Sequence, residues 1–148
     1  MNTLQRRWRA EKCPLINGVL YGKGDYYPAY FEDEGVQSRR QGRIMASERW
    51  YPPKQTVDIK SLSWCYYDVY AELSVQEGKV KAGPGTFGGD GFVALEDSNG
   101  NLCWIAFFQD SNPFMKLVLE EDIVMATSEL NEIWCFPIHA PHLFYILS

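Results

Sequence analysis

The sequence predicts an α+β protein that is mainly antiparallel β, a meander forming a sandwich or half-open barrel, with a short helix or helices in the N-terminal third. Three observations carry this. From about residue 62 onward apolar positions recur every second residue, the period of a strand and not of a helix. Short Gly/Asn/Asp/Pro clusters separate these runs, which is how short antiparallel strands are punctuated. The chain is 46% hydrophobic and 15% aromatic, well outside the composition of disorder. Its 148 residues fit one domain, 1–148. Within it a basic, loop-rich part (1–60) precedes an acidic antiparallel sheet (61–148).

Thr3 to Lys12 reads as a short basic helix, because Leu4 and Trp8 stand one turn apart on one side. The next stretch, NGVLYGKGDYYPAYFEDEG, is interrupted by Gly and Pro and reads as loop. Residues 36 to 50, VQSRRQGRIMASERW, suit a helix or a strand broken at Gly42. WCYYDVYAELSV then alternates. Cys65, Tyr67, Val69, Ala71, Leu73 and Val75 form a core face, whereas Trp64, Tyr66, Asp68, Tyr70, Glu72 and Ser74 mix aromatics with carboxylates on the other.

GFVALED-SNGN-LCWIAFFQD reads as a hairpin, with Asn99-Gly100 supplying the positive φ angles of a tight primed turn. Leu102 to Phe108 is apolar on both faces, so this strand belongs at the centre of the sheet, covered from both sides. Strands MKLVL, IVMAT, EIWCFPI and LFYIL follow, joined by turns at Glu120-Glu121-Asp122 and at Ser128 to Asn131.

Charge is unevenly shared. Residues 1–60 hold 11 Lys+Arg against 7 Asp+Glu, net +4; residues 61–148 hold 3 against 12, net −9. An imbalance of this kind serves solubility, and it also offers a negative field to a basic partner. The N-terminus MNTLQRRWRAEK has charges with no apolar run behind them, and no stretch approaches a spanning helix. Cys13, Cys65, Cys103 and Cys135 are widely spaced, the last three in apolar runs, as small buried hydrophobes of a reducing compartment. The expected location is the cytoplasm, with no membrane association.

Residues 82–92, AGPGTFGGDGF, contain a literal G-x-G-x-x-G. A dinucleotide fingerprint works because a helix follows and points its N-terminus at the phosphates. Here a strand-like run follows, and no G-K-[ST] is present. Gly83, Gly85, Gly88, Gly89 and Gly91 therefore read as a mobile connection between strands.

Other chemistries find little support. Cys135, His139 and His142 have the residue types of a zinc site, yet their spacing is not that of a finger and prolines flank them. Cys103 or Cys135 beside His139 would make a nucleophile and base, but a thiol in so apolar a run stays protonated. RRWR and SRRQGR offer a little of what nucleic acid requires, against a pI near 5.0. No metal, no cofactor and no nucleic acid are expected, nor any turnover of its own.

The stretch GFVALEDSNGNLCWIAFFQDSNPFMKLVLEEDIVMATSELNEIWCFPI, roughly residues 90 to 138, resembles the β-rich half of small bacterial immunity proteins. These accompany contact-dependent inhibition and other polymorphic toxin systems. The resemblance rests on ED-x-N-G-N, D-S-N-P-F and a late W-x-F-P. It implies a cytosolic, acidic non-enzyme that binds one cognate toxin, often a nuclease, and blocks it by covering its active site. A basic nuclease recognises phosphates, and an acidic, aromatic protein face competes for the same groups. The expected partner-binding residues are Tyr66, Asp68, Tyr70 and Glu72, with Asp90, Glu96, Asp97, Glu120, Glu121 and Asp122. The alternative is a small-molecule-binding or enzymatic β-domain with an aromatic-lined pocket.

Overall fold

A computed structural model of the chain describes residues 2–29 and 54–147. The helix-or-strand reading of residues 36 to 50 lies outside the described residues.

Helix α1 (Thr3–Arg9) starts where the Asn2 side chain accepts the Gln5 amide at 2.9 Å, capping one of the orphan donors of the first turn. Leu4 and Trp8 are its buried residues, as their spacing requires, and Arg6, Arg7 and Arg9 sit at the end that favours cations. Glu11, with φ at 62°, ends the helix. The Gln5 side chain takes the place of a strand partner for β9 (Leu102–Phe108): it donates to the Leu102 carbonyl at 3.0 Å and accepts the Leu102 amide at 2.6 Å.

Among the described residues, seven strands form the largest sheet, all neighbours antiparallel. Across it run β4 (Gln55–Thr56), β3 (Asp25–Pro28), β2 (Gly18–Tyr21), β9, β8 (Gly91–Glu96), β7 (Gly78–Gly83) and β6 (Ala71–Val75). A meander of β10 (Phe114–Glu120), β11 (Ile123–Ser128), β12 (Ile133–Pro137) and β13 (Tyr145–Leu147) makes a second sheet. A small ribbon of β1 (Lys12–Pro14) and β5 (Trp64–Tyr66) joins α1 as a third layer.

The central strand is covered on both sides. Trp104, Ala106 and Phe108 of β9 pack with Phe114, Trp134, Phe136, Phe144 and Ile146 in the core between the two sheets. Leu102, Ile105 and Phe107 join Leu4, Trp8, Cys13, Leu20 and Cys65 in the core under the helix and ribbon. A bulge at Cys103 shifts the register from Leu95↔Trp104 to Glu96↔Leu102, which keeps both sets on their proper sides. Trp104 donates its ring N–H to the Ile138 carbonyl at 3.0 Å, so burying it strands no donor.

Three expectations change. The loop-rich reading of NGVLYGKGDYY gives way to the β2–β3 hairpin, whose Val19 and Leu20 are fully buried by pairing with β9. The single strand read from 64 to 75 is two strands in different sheets, β5 and β6, with residues 67–70 crossing between layers. Its alternation therefore serves both cores: Cys65 and Tyr67 one, Leu73 and Val75 the other, with Val69 left outside. At the β8–β9 turn only Gly100 has positive φ (80°), and the Gly100 amide bonds the Asp97 carbonyl while Asp97 N–H bonds Asn101. This is a three-residue loop with glycine at the left-handed position, not a two-residue primed turn.

Candidate partner-binding surface

Where β5 leaves the ribbon, the chain turns its aromatic side chains outward. Tyr66 is 63% exposed and Tyr70 51%, with Val69 at 38% between them. Asp68 and Glu72 are exposed beside them. The crossing segment is anchored through its backbone: the Asp68 amide bonds Pro84 at 3.3 Å and the Tyr70 amide bonds Ala82 at 2.9 Å. Asp68 Oδ1 accepts the Val69 amide at 2.9 Å, and the Lys12 ammonium sits 5.3 Å over the Tyr66 ring. Glu72 pairs with Lys79 at 3.7 Å on open surface, where such a pair contributes little.

The glycine loop, residues 84–90 between β7 and β8, brings Phe87 to the same region. Thr86 Oγ1 donates to the Tyr66 carbonyl at 2.9 Å, and Phe87 is 69% exposed. The loop is held from within. Asp90, 2% exposed, accepts the amides of Gly85 at 3.1 Å and Phe87 at 3.3 Å, and Gly89 O accepts the Asn112 amide at 2.8 Å. A Cβ at Gly85 would strike the Asp90 carboxylate and lie 3.0 Å from the Phe107 ring. The amides that a phosphate would use are therefore turned to the chain's own carboxylate, and a strand follows the loop. The glycines form a connection between two strands, as expected, and its bonds to Asp90 and Asn112 make it a tethered platform for Phe87.

Of the ten residues expected to meet a partner, Tyr66, Asp68, Tyr70 and Glu72 lie exposed along one stretch. Asp90 is withdrawn, buried as the loop's tether. Glu96 is withdrawn too: it accepts the Trp8 ring N–H at 2.8 Å and pairs with Lys81 at 2.9 Å, with its side chain 13% exposed. Burial of an ionised pair requires such company. Asp97 shapes the hairpin, its Oδ1 accepting the Asn99 and Asn101 amides, which hold its carboxyl below the usual range. Glu120, Glu121 and Asp122 are exposed at the β10–β11 turn, in another sheet. Glu120 and Glu121 edge a shallow hollow of about 700 Å³ on the outer face of the four-stranded sheet, lined by Ile123, Met125, Cys135, Tyr145 and Leu147. Phe87 and Val69 were not foreseen; the one signal for Phe87 is a lone large aromatic set among glycines.

The remaining chemical candidates disperse. Cys135 lies in the outer row Val118, Met125, Cys135, Tyr145, and burial pushes its thiol up. His139 faces Glu77 at 3.2 Å. His142 Nδ1 meets the Tyr21 hydroxyl at 2.7 Å, and its ring stacks on Tyr27 at 4.1 Å. Among the described residues no group of three His, Cys, Asp or Glu is placed to hold a metal. A hollow of about 310 Å³ beside Val69 carries only Trp8 and Tyr67 as aromatics, and these stack on each other at 4.5 Å.

Burial lowers the His142 pKa below 6.5 and raises that of Tyr21 to about 12, so at neutral pH a protonated phenol and a neutral imidazole share the hydrogen bond. The unfolded chain takes up the histidine proton near pH 6.5, whereas the folded chain resists until lower pH. This contribution is level above that point and is lost as pH falls through the depressed value. Melting temperature measured between pH 7.5 and 5 is expected to fall less in His142→Asn than in the unaltered chain.

No family model, curated protein or solved structure matches this chain, so its function is read from the chemistry of its own surface.

Proposed function

We propose that the chain is an immunity protein: it acts in the cytoplasm by binding a cognate toxin domain, a basic nuclease, and covering that domain's active site. The observation that supports this most is the strip of exposed aromatics, Tyr66, Tyr70 and Phe87, set beside Asp68 and Glu72 on a tethered backbone. Rings fixed in advance bring large contact area at low entropic cost and supply the desolvated anchors of an interface. The carboxylates, with the −9 balance after residue 60, steer a cationic partner. The chain binds protein and not nucleic acid, and has no turnover of its own.

The test is kinetic, with the toxin recovered by pull-down from the native host. Tyr66→Ala, Tyr70→Ala and Phe87→Ala are each expected to raise the off-rate about tenfold, since an anchor contributes on the order of 1–2 kcal/mol. Asp68→Lys with Glu72→Lys is expected to lower the on-rate and flatten its fall with salt, because screening acts on the long-range attraction. Met125→Ala, a charge-neutral change in the other sheet, should leave both rates unchanged. The opposite pattern would move the interface to the four-stranded sheet. A host with no toxin partner would refute the immunity reading.

A further inference from the structure

We infer that Cys13 and Cys65 form an oxidation site at which a peroxide converts a buried thiol pair into a disulfide tying β1 to β5. The two residues are direct cross-strand partners, and their sulfurs stand 3.6 Å apart. Hydrogen bonds two residues away on either side, Leu15 N–H to Ser63 and Tyr67 N–H to Glu11, put the pair at a hydrogen-bonded position of the ladder. Cα atoms at such a position are about 5.5 Å apart, inside the span a disulfide bridges. Closing the bond therefore needs only a side-chain movement of about 1.5 Å at sulfur. Cys103 and Cys135 have no such opportunity, since they lie in β9 and β12 of different sheets.

The two thiols are unequal. Cys65 is 7% exposed and Cys13 is fully buried, so an oxidant reaches Cys65 first. The hydrogen bond from Cys13 lowers the Cys65 pKa to about 7, with help from the Thr86 amide and hydroxyl and against burial and the Asp90 charge. The same bond, with burial, holds the Cys13 thiol far above its ordinary value. Cys65 is thus the attacking thiolate and Cys13 the resolving thiol. Its sulfur attacks one peroxide oxygen, the O–O bond breaks, and water leaves with the thiol proton, giving a sulfenic acid on Cys65. Cys13 sulfur then attacks Cys65 sulfur, the S–O bond breaks, and a second water carries away the Cys13 proton. Two thiols lose two electrons and one peroxide is reduced to two waters.

The bond would link residues 52 apart and fasten the ribbon that presents Tyr66. The full chain, folded and reduced, is treated with hydrogen peroxide; thiols are then counted after denaturation, and a non-reducing peptide map is made. The expected result is a fall from four free thiols to two, a Cys13–Cys65 cross-linked peptide, and reversal by dithiothreitol. Melting temperature should rise by roughly 5–10 °C. In Cys13→Ser, whose hydroxyl still donates to the Cys65 sulfur but cannot form the disulfide, Cys65 should stop at the sulfenic acid and be trapped by dimedone. If that variant fails to fold, the map of the unaltered chain still decides. Four surviving thiols, or a cross-link that maps to Cys103 or Cys135, would overturn the assignment.

Discussion

Phe108→Ala is expected to destabilise the fold by about 3–5 kcal/mol, a large part of the total for a domain of this size. Phe108 is 1% exposed at the end of the central strand. Its ring meets Trp134 at 4.7 Å, Phe144 at 5.0 Å and Phe136 at 6.3 Å, so it packs on β12 of the second sheet and on the segment before β13. Removing it costs the transfer energy of the ring and leaves a cavity that rigid aromatic neighbours cannot collapse into. The urea midpoint should drop sharply with little change in slope, and the melting temperature should fall by roughly 10–15 °C. Phe87→Ala, the same substitution on a ring 69% exposed, should change stability by no more than about 0.5 kcal/mol. Equal losses at the two positions would mean that the sandwich core is not where the stability resides.

That core was legible in the sequence because its signals are local. β8 to β13 each alternate or run apolar, and each connection carries Asn, Asp, Gly or Pro, so period and punctuation agree. α1 was legible for the same reason, through Leu4 and Trp8. The β2–β3 hairpin was not: GVLY is four residues that begin at Gly18 and run into Gly22, and only its pairing with β9 makes it a strand. Nor was the crossing at residues 67–70, because alternation continues unbroken while the chain passes from one layer to another. Cys13 and Cys65 stand opposite each other only because β1 and β5 pair, which no spacing announces. The exposed face of the candidate site followed from alternation at Tyr66 and Tyr70, whereas Phe87 reaches it by a return of the β7–β8 connection past β5. Asp90, Glu96 and Asp97 look alike as letters; burial and the amides that face them separate two internal groups from a turn former.

Asp90→Ala separates a tethered glycine loop from a free one. Its carboxylate is the acceptor for the Gly85 and Phe87 amides, and losing charge-assisted bonds at a buried position costs about 1.5–3 kcal/mol. Asp90→Asn should lose less, since an amide oxygen still accepts, although without charge. Amide exchange at Gly85 and Phe87 should accelerate in Asp90→Ala while exchange within β8 and β9 slows or quickens only with global stability. Were the loop a hinge, as glycine content alone suggests, neither stability nor exchange at those two amides would respond. The same variant bears on recognition, because Phe87 is an anchor only if its backbone is fixed before contact. Ordering a released loop on binding opposes association, so under the proposed function Asp90→Ala should weaken toxin binding at least as much as Phe87→Ala, although Asp90 itself is hidden from any partner. A loss confined to stability, with toxin affinity intact, would show that the loop serves the fold alone and would leave Tyr66 and Tyr70 as the anchors.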